Sequence, residues 1–257
     1  MVRGIAKFRE QFRSHTGQYV LIGGAACDLL MEEAGLEFRA TKDLDIVLSV
    51  EALNASFVRA FWAFVRAGEY QVQQSATGER RYYRFLKPEG DEYPFMLELF
   101  ARKPDMLDLA EGAHLTPIPV DEEISGLSAI LLDDAYYAFL HSGKRTIEDI
   151  PIVGPEHLIP LKARAWLDLT RRKTAGEAID AKSIAKHKND IFRLYRVIDP
   201  ALETDIPKDI SADMVVFLDA MVSERVDLKN LGIIGQSLDS ILCELRNFYV
   251  PNYGKEL

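Results

Sequence analysis

Apolar positions recur with two different periods along this chain, and the change from one to the other divides it. Residues 5–16 place apolar side chains at helical spacing among basic ones and read as a short amphipathic helix. Residues 19–22 form a compact apolar run that stops at Gly23-Gly24, which predicts a buried strand. Residues 25–34 have helical composition and spacing, with Gly35 as the C-terminal stop. The β-branched, apolar stretch 44–50 predicts a second strand. Leu53, Phe57, Phe61, Phe64 and Val65 then predict a helix over 51–67, with Phe57, Phe61, Trp62 and Phe64 as core. Strands follow near 70–74, over the alternating segment 81–86 and over 95–100, extending a mixed sheet.

Past residues 116–120 the pattern turns mostly helical, with long candidates at 155–172, 179–198, 211–228 and 236–248. Residues 125–153 accommodate a strand, a helix and a hairpin in several arrangements. The expected fold class is therefore α/β (α+β): a mixed sheet flanked by helices over 1–124, a connecting segment over 125–154, and an α-helical domain over 155–257. No internal repeat or low-complexity stretch interrupts this plan.

Composition narrows the class. A chain of 257 residues with 48% hydrophobic and 10% aromatic residues can bury one large core or two modest ones. No apolar run approaches the roughly 20 residues of a spanning helix, and the first residues lack a signal peptide's apolar segment. The cytoplasm is the expected compartment, with no membrane partner. Cys27 and Cys243 match no metal-ligand spacing and are too few for a disulfide framework, so both are expected to be core thiols. A formal charge of -9 argues against a general nucleic-acid coat, because nonspecific affinity comes from Lys and Arg neutralising phosphates. A local basic patch for an RNA end stays compatible with it.

The chemistry-bearing residues concentrate early. Asp43 and Asp45 are two apart at the start of a strand, so both carboxylates project from one face and can bind the same metal. Phosphoryl and nucleotidyl transfer commonly uses Mg²⁺ on hard oxygen ligands to align attacking and leaving oxygens. Glu98 interrupts the apolar run 95–100, where an acid is costly to bury without compensation, and is the expected third metal ligand. Gly23-Gly24 lies at a strand-to-helix junction, where exposed N–H groups and absent side chains suit a phosphate. Each element has a plainer explanation: a turn for the glycines, a solvated strand edge for the aspartates, an arginine partner for Glu98. No paired histidine spacing suits zinc, and no Gly-x-Ser-x-Gly elbow, Walker loop or dinucleotide fingerprint occurs. Hydrolase, P-loop and dinucleotide-binding functions are thereby disfavoured.

Leu21-Ile22-Gly23-Gly24 followed by Thr41-Lys42-Asp43-Leu44-Asp45-Ile46-Val47 resembles the signature of the DNA-polymerase-β-like nucleotidyltransferase superfamily. Within it, the chain is most similar to the AbiEii/MenT group of nucleotidyltransferase-like toxins, which add a helical C-terminal half. Lys162-Ala163-Arg164 and Lys188-Asn189-Asp190 resemble that group's later lysine-bearing motifs. The separation of nineteen residues between Gly24 and Asp43 is longer than in the group, and an added turn near 37–40 is expected to absorb it.

The resemblance implies a nucleotidyltransferase-type sheet and a Mg²⁺-dependent transfer of a nucleoside monophosphate from an NTP to an acceptor hydroxyl, on a tRNA end or a protein. It implies catalytic Asp43, Asp45, Glu98 and Asp190, metal on Asp43, Asp45 and Glu98, and nucleotide on Gly23, Gly24, Thr41, Lys162, Arg164 and Lys188. It also implies a toxin with a cognate antitoxin as partner. Two further functions share these residues: a small-molecule (antibiotic) nucleotidyltransferase, and a non-catalytic nucleotide-binding regulator or antitoxin. Physically, Lys162, Arg164 and Lys188 are cations suited to a triphosphate. The plainer alternative makes Lys182, Lys186, Lys188 and Asp190 a solvated helix face and Arg164 a stem packed beside Trp166. Arg80-Arg81-Tyr82-Tyr83-Arg84-Phe85 interleaves cations with aromatics, either for an acceptor RNA or because its aromatics face the core.

Overall fold

A computed structural model of the chain describes residues 2–74, 80–102, 115–117 and 128–250. The chain forms two compact units, Met1–Gly154 and Pro155–Leu257. Among the described residues no helix is long and apolar enough to cross a membrane.

The first unit opens with α1 (Ile5–Phe12) and a 3-10 turn, then β1 (Tyr19–Ile22) and α2 (Gly23–Glu33). Helix α2 starts at the glycines themselves. It ends where Gly35 adopts φ 68°, the Gly35 N–H reaching the Glu32 carbonyl at 3.0 Å and the Leu36 N–H reaching that of Met31 at 2.7 Å. This is the left-handed glycine stop that consumes orphan carbonyls. Residues 36–42 are irregular and absorb the long Gly24-to-Asp43 spacing before β2 (Asp43–Leu48). The helix expected over 51–67 is shorter than its periodicity suggests. Leu53 is extended at ψ 141°, and Asn54 caps α3 (Ala55–Ala67) by accepting from the Phe57 N–H at 3.0 Å.

There follow β3 (Gln71–Gln74), β4 (Arg80–Leu86), β5 (Met96–Ala101), β6 (Leu115–Pro117), β7 (Ser128–Leu131) and α4 (Asp134–Ser142). The unit closes on a hairpin, β8 (Lys144–Ile147) and β9 (Ile150–Val153). Glu148 and Asp149 turn it, both with positive φ (48° and 65°), as a two-residue hairpin loop requires. The segment whose arrangement the sequence leaves open thus contributes a strand, a helix and a hairpin, all to this unit; residues 118–127 lie outside the described residues.

The strands form one mixed sheet in the order β3-β4-β5-β2-β1-β9-β8, with β7 on β5 and β6 on β7. β1 is antiparallel to β2 and parallel to β9, and β2 is parallel to β5. Strand alternation sorts the two faces. Tyr19 and Phe85 lie on the face that receives α1 and α3, where Phe8, Phe12, Phe57, Phe61 and Phe64 are buried. Their rings pack at 5.4 Å for Phe8–Tyr19, 5.6 Å for Phe12–Phe57 and 5.4 Å for Phe61–Phe85, edge-on or tilted as ring quadrupoles prefer. Residues one position away on the same strands point to the opposite face, and these include the acidic ones.

The second unit comprises α5 (Pro155–Thr174), α6 (Ala181–Tyr195), α7 (Lys208–Met221) and α8 (Leu238–Tyr249). Trp166 packs edge-on against Phe217 at 5.5 Å between α5 and α7. Pro160 sits inside α5 and has no N–H to give the Glu156 carbonyl, one turn earlier. Tyr249, fully buried at the end of α8, donates its hydroxyl to that carbonyl at 2.9 Å. Cys27 is buried as expected, whereas Cys243 is exposed. The apolar stripe of α8 runs through Ile241, Leu242, Leu245 and Tyr249, and Cys243 falls off it.

Candidate active site

The acidic face is assembled by strand register. Asp45 of β2 lies opposite Ile22 of β1 on one side and Glu98 of β5 on the other, and Glu98 lies opposite Arg84 of β4. Register partners on adjacent strands share a face, so Asp45, Glu98 and Arg84 form one row across three strands. Asp43, two residues before Asp45, shares that face. The row sits where β1 gives way to α2, so the helix start faces the carboxylates.

The glycines are held close to this row. Gly23 has φ 66°, and a Cβ there would collide with the Asp45 carboxylate. Only glycine allows both the backbone angle and the approach. A Cβ on Gly24 would come within 2.6 Å of the Thr41 hydroxyl oxygen and 3.3 Å of Arg39 Nη2. The first-turn N–H groups of α2 lack intrahelical acceptors. Together with the Thr41 hydroxyl and the Arg39 guanidinium they make a compact cradle suited to an anion.

The carboxylates differ in their partners. Asp43 Oδ1 is buried and has no hydrogen-bond partner among the described residues. A buried acceptor left without a donor carries a desolvation cost, which an oxygen-seeking cation would offset. Asp43 and Asp45, on one face with one orphaned oxygen between them, fit a divalent ion on that observation. Glu98 is only 8% exposed, and its Oε1 receives both Nε and Nη2 of Arg84. The acid that interrupts the apolar strand is thus compensated by an arginine. Among the described residues no three Asp, Glu, His or Cys side chains are gathered closely enough to hold a metal as they stand.

Sequence reasoning does not assign Arg84 or Arg39 to the site. Alternation makes Arg84 face away from the buried Tyr83 and Phe85, a signal the sequence carries; its pairing with Glu98 depends on the β4–β5 register, which it does not. The side chains of Arg80, Arg81 and Tyr82 lie outside the described residues.

The later motif residues act within the helical unit. Lys162 is 4% exposed and donates to Asp190 Oδ2 at 3.0 Å, with Asp190 fully buried. Arg193 approaches Asp190 Oδ1 at 3.5 Å. Arg164 pairs with Asp213 at 2.6 Å, and Lys188 donates to Glu224 at 2.5 Å and to the Arg225 carbonyl at 3.0 Å. The structure therefore brings Lys162 to Asp190, while Arg164 and Lys188 each engage separate acids.

No family model matches the chain, and no curated protein sequence does. Among solved structures it is similar to the polyadenylate synthase of Megavirus, at 10% identity and a TM-score of 0.38 over 86% of this chain. The chain spans 36% of that enzyme's length. It is also similar to a Helicobacter pylori protein provisionally assigned as a nucleotidyltransferase, at 16% identity and a TM-score of 0.34, covering 98% of this chain and 92% of that one. JHP933 from Helicobacter pylori is similar at 15% identity and a TM-score of 0.34, covering 98% and 90%.

Proposed function

We propose that this chain transfers a nucleoside monophosphate from an NTP to an acceptor hydroxyl, with the triphosphate seated at the start of α2 and a magnesium ion on Asp43 and Asp45. The observation that carries the reading is the convergence of two features. Asp45 abuts Gly23 at the helix start, and the neighbouring Asp43 leaves a buried oxygen without a donor among the described residues. Asp43 and Asp45 would hold a divalent cation there, and its charge would offset that of the phosphates during transfer. Asp43 and Asp45 hold their carboxylates on one face to receive it. The α2 N–H groups, Thr41 and Arg39 bind the phosphates. The acceptor hydroxyl gives up its proton to water as its oxygen bonds to the α-phosphorus, the α–β phosphoanhydride bond breaks and pyrophosphate leaves. The acceptor class that the sequence resemblance implies is an RNA end or a protein hydroxyl, with toxicity restrained by a cognate antitoxin.

A second reading, a nucleotide-binding regulator without transfer activity, is favoured by the Arg84–Glu98 pair, because the third acid already has a cation and needs no metal to be tolerated.

The test uses each labelled NTP with Mg²⁺ and separate RNA and protein extracts, on wild type, Asp43→Asn and Asp45→Asn. Transfer should be lost in both variants while the melting temperature in EDTA is unchanged or raised, since like charges on one face repel. Variants that are less stable by roughly 1–3 kcal/mol and still transfer would make both carboxylates scaffold. Wild type that binds NTP in Mg²⁺ and transfers to neither extract supports the regulator.

A further inference from the structure

We propose that Arg84 is a resident counter-ion of this site: it occupies Glu98 in the metal-free protein and competes with a divalent cation for that carboxylate. The inference rests on the reading of Asp43 and Asp45 as metal ligands and adds a positioning residue that acts through Glu98.

Asp45, Glu98 and Arg84 are successive register partners on β2, β5 and β4, so the arginine stands at the end of the acidic row. Both Nε and Nη2 of Arg84 converge on Glu98 Oε1, in a setting where the Glu98 side chain is 11% exposed and that of Arg84 is 33% exposed. Asp43 Oδ1, on the same face, has no hydrogen-bond partner among the described residues. The arginine's charge is thus placed at the end of the row, while Asp43, two residues along β2 on the same face, keeps an unsatisfied oxygen.

With Arg84 on Glu98, a divalent cation meets the carboxylates of Asp43 and Asp45 on the same face, of which Asp43 Oδ1 has no hydrogen-bond partner among the described residues. Glu98 becomes a ligand only if its charge-assisted hydrogen bonds to the guanidinium are broken. Those bonds are stronger than neutral ones, and the site's burial limits how far water can replace them. Arg84 therefore weakens divalent-ion binding at Glu98, and removing it should free the third carboxylate. A purely structural ion pair, unconnected to the aspartates, predicts no such change.

The experiment is titration of the full chain with Mn²⁺ alone, followed by calorimetry and by the electron paramagnetic resonance signal of free Mn²⁺. No nucleotide is present and no activity is read. Arg84→Met should bind Mn²⁺ about tenfold more tightly than wild type, the scale of one charge-assisted hydrogen bond no longer opposing the ion. Arg84→Lys, which keeps the charge but loses the fork, should fall between them and stands in if Arg84→Met fails to fold by circular dichroism. The gain should vanish in Arg84→Met/Glu98→Gln. Equal affinity in wild type and a folded Arg84 variant overturns the proposal, as does a gain that survives Glu98→Gln. If wild-type binding is lost in Asp43→Asn but indifferent to Arg84, only this inference fails. Absence of Mn²⁺ binding in every protein overturns it together with the metal assignment.

Discussion

Asp190 is fully buried, and its carboxylate takes the Lys162 ammonium at 3.0 Å and the Arg193 guanidinium at 3.5 Å. Lys162→Met removes the nearer of these two cations from a carboxylate at 0% exposure. Breaking one side of a buried pair costs about 3–5 kcal/mol, because the remaining charge loses its nearest counter-ion without gaining water. At roughly 2–4 °C per kcal/mol for a chain of this size, the melting temperature should fall by about 6–20 °C. Lys162→Met/Asp190→Leu replaces both ions by apolar groups of similar volume, and Arg193, at 20% side-chain exposure, can turn to water. The double variant should therefore lie within about 1–2 kcal/mol of wild type, a result typical of replaced ion pairs. Urea denaturation followed by circular dichroism measures all three free energies. A single variant within about 0.5 kcal/mol of wild type, or a double variant as unstable as the single one, refutes the buried-pair reasoning. NTP titration of the double variant then addresses the role that resemblance assigns to Lys162. Wild-type affinity in a stable double variant makes Lys162 a tie between α5 and α6, whereas a selective loss of affinity makes it a nucleotide ligand.

Tyr249→Phe should cost about 1–3 kcal/mol by orphaning the Glu156 carbonyl, and the cost should shrink in a Pro160→Ala background, where residue 160 regains an N–H for that acceptor. Equal costs in the two backgrounds, measured by thermal melting, would break the link between proline and tyrosine. Burial lowers the pKa of His157 to about 4, so the native ring stays neutral while the unfolded one titrates near 6.5. Between those values the unfolded state binds more protons, and stability falls as pH drops through that window. In His157→Gln that contribution should disappear from urea midpoints recorded from pH 7 to 4.5. A His157 ring resonance titrating near 6.5 in the native protein would contradict it.

Much of this plan is local and can be read directly from the order of residues. The run Tyr19–Ile22 bounded by two glycines is a strand because apolar, partly β-branched residues suit a buried ladder and glycine ends it. The positions of Asp43 and Asp45 on one face follow from the period of a strand alone, and the burial of Glu98 follows from its apolar neighbours. Gly35 stops α2 because only a residue tolerant of positive φ fits there. Element boundaries blur where local chemistry overrules periodicity, as at Asn54, whose capping side chain starts α3 later than its apolar repeat suggests.

Tertiary structure decided which charges meet. In the sequence, Arg84 is one of several cations in an alternating segment; the β4–β5 register places it opposite Glu98 and turns an expected metal ligand into an arginine-paired one. Lys162 and Asp190 are 28 residues apart, and their charges look the same in sequence whether solvated or buried; the packing of α5 on α6 removes the water. The hairpin β8–β9 likewise joins the sheet through β9 beside β1, more than a hundred residues earlier. Pairing across such separations is set by register and packing, which depend on the whole fold, whereas turns, caps and strand periods depend on neighbours a few residues away.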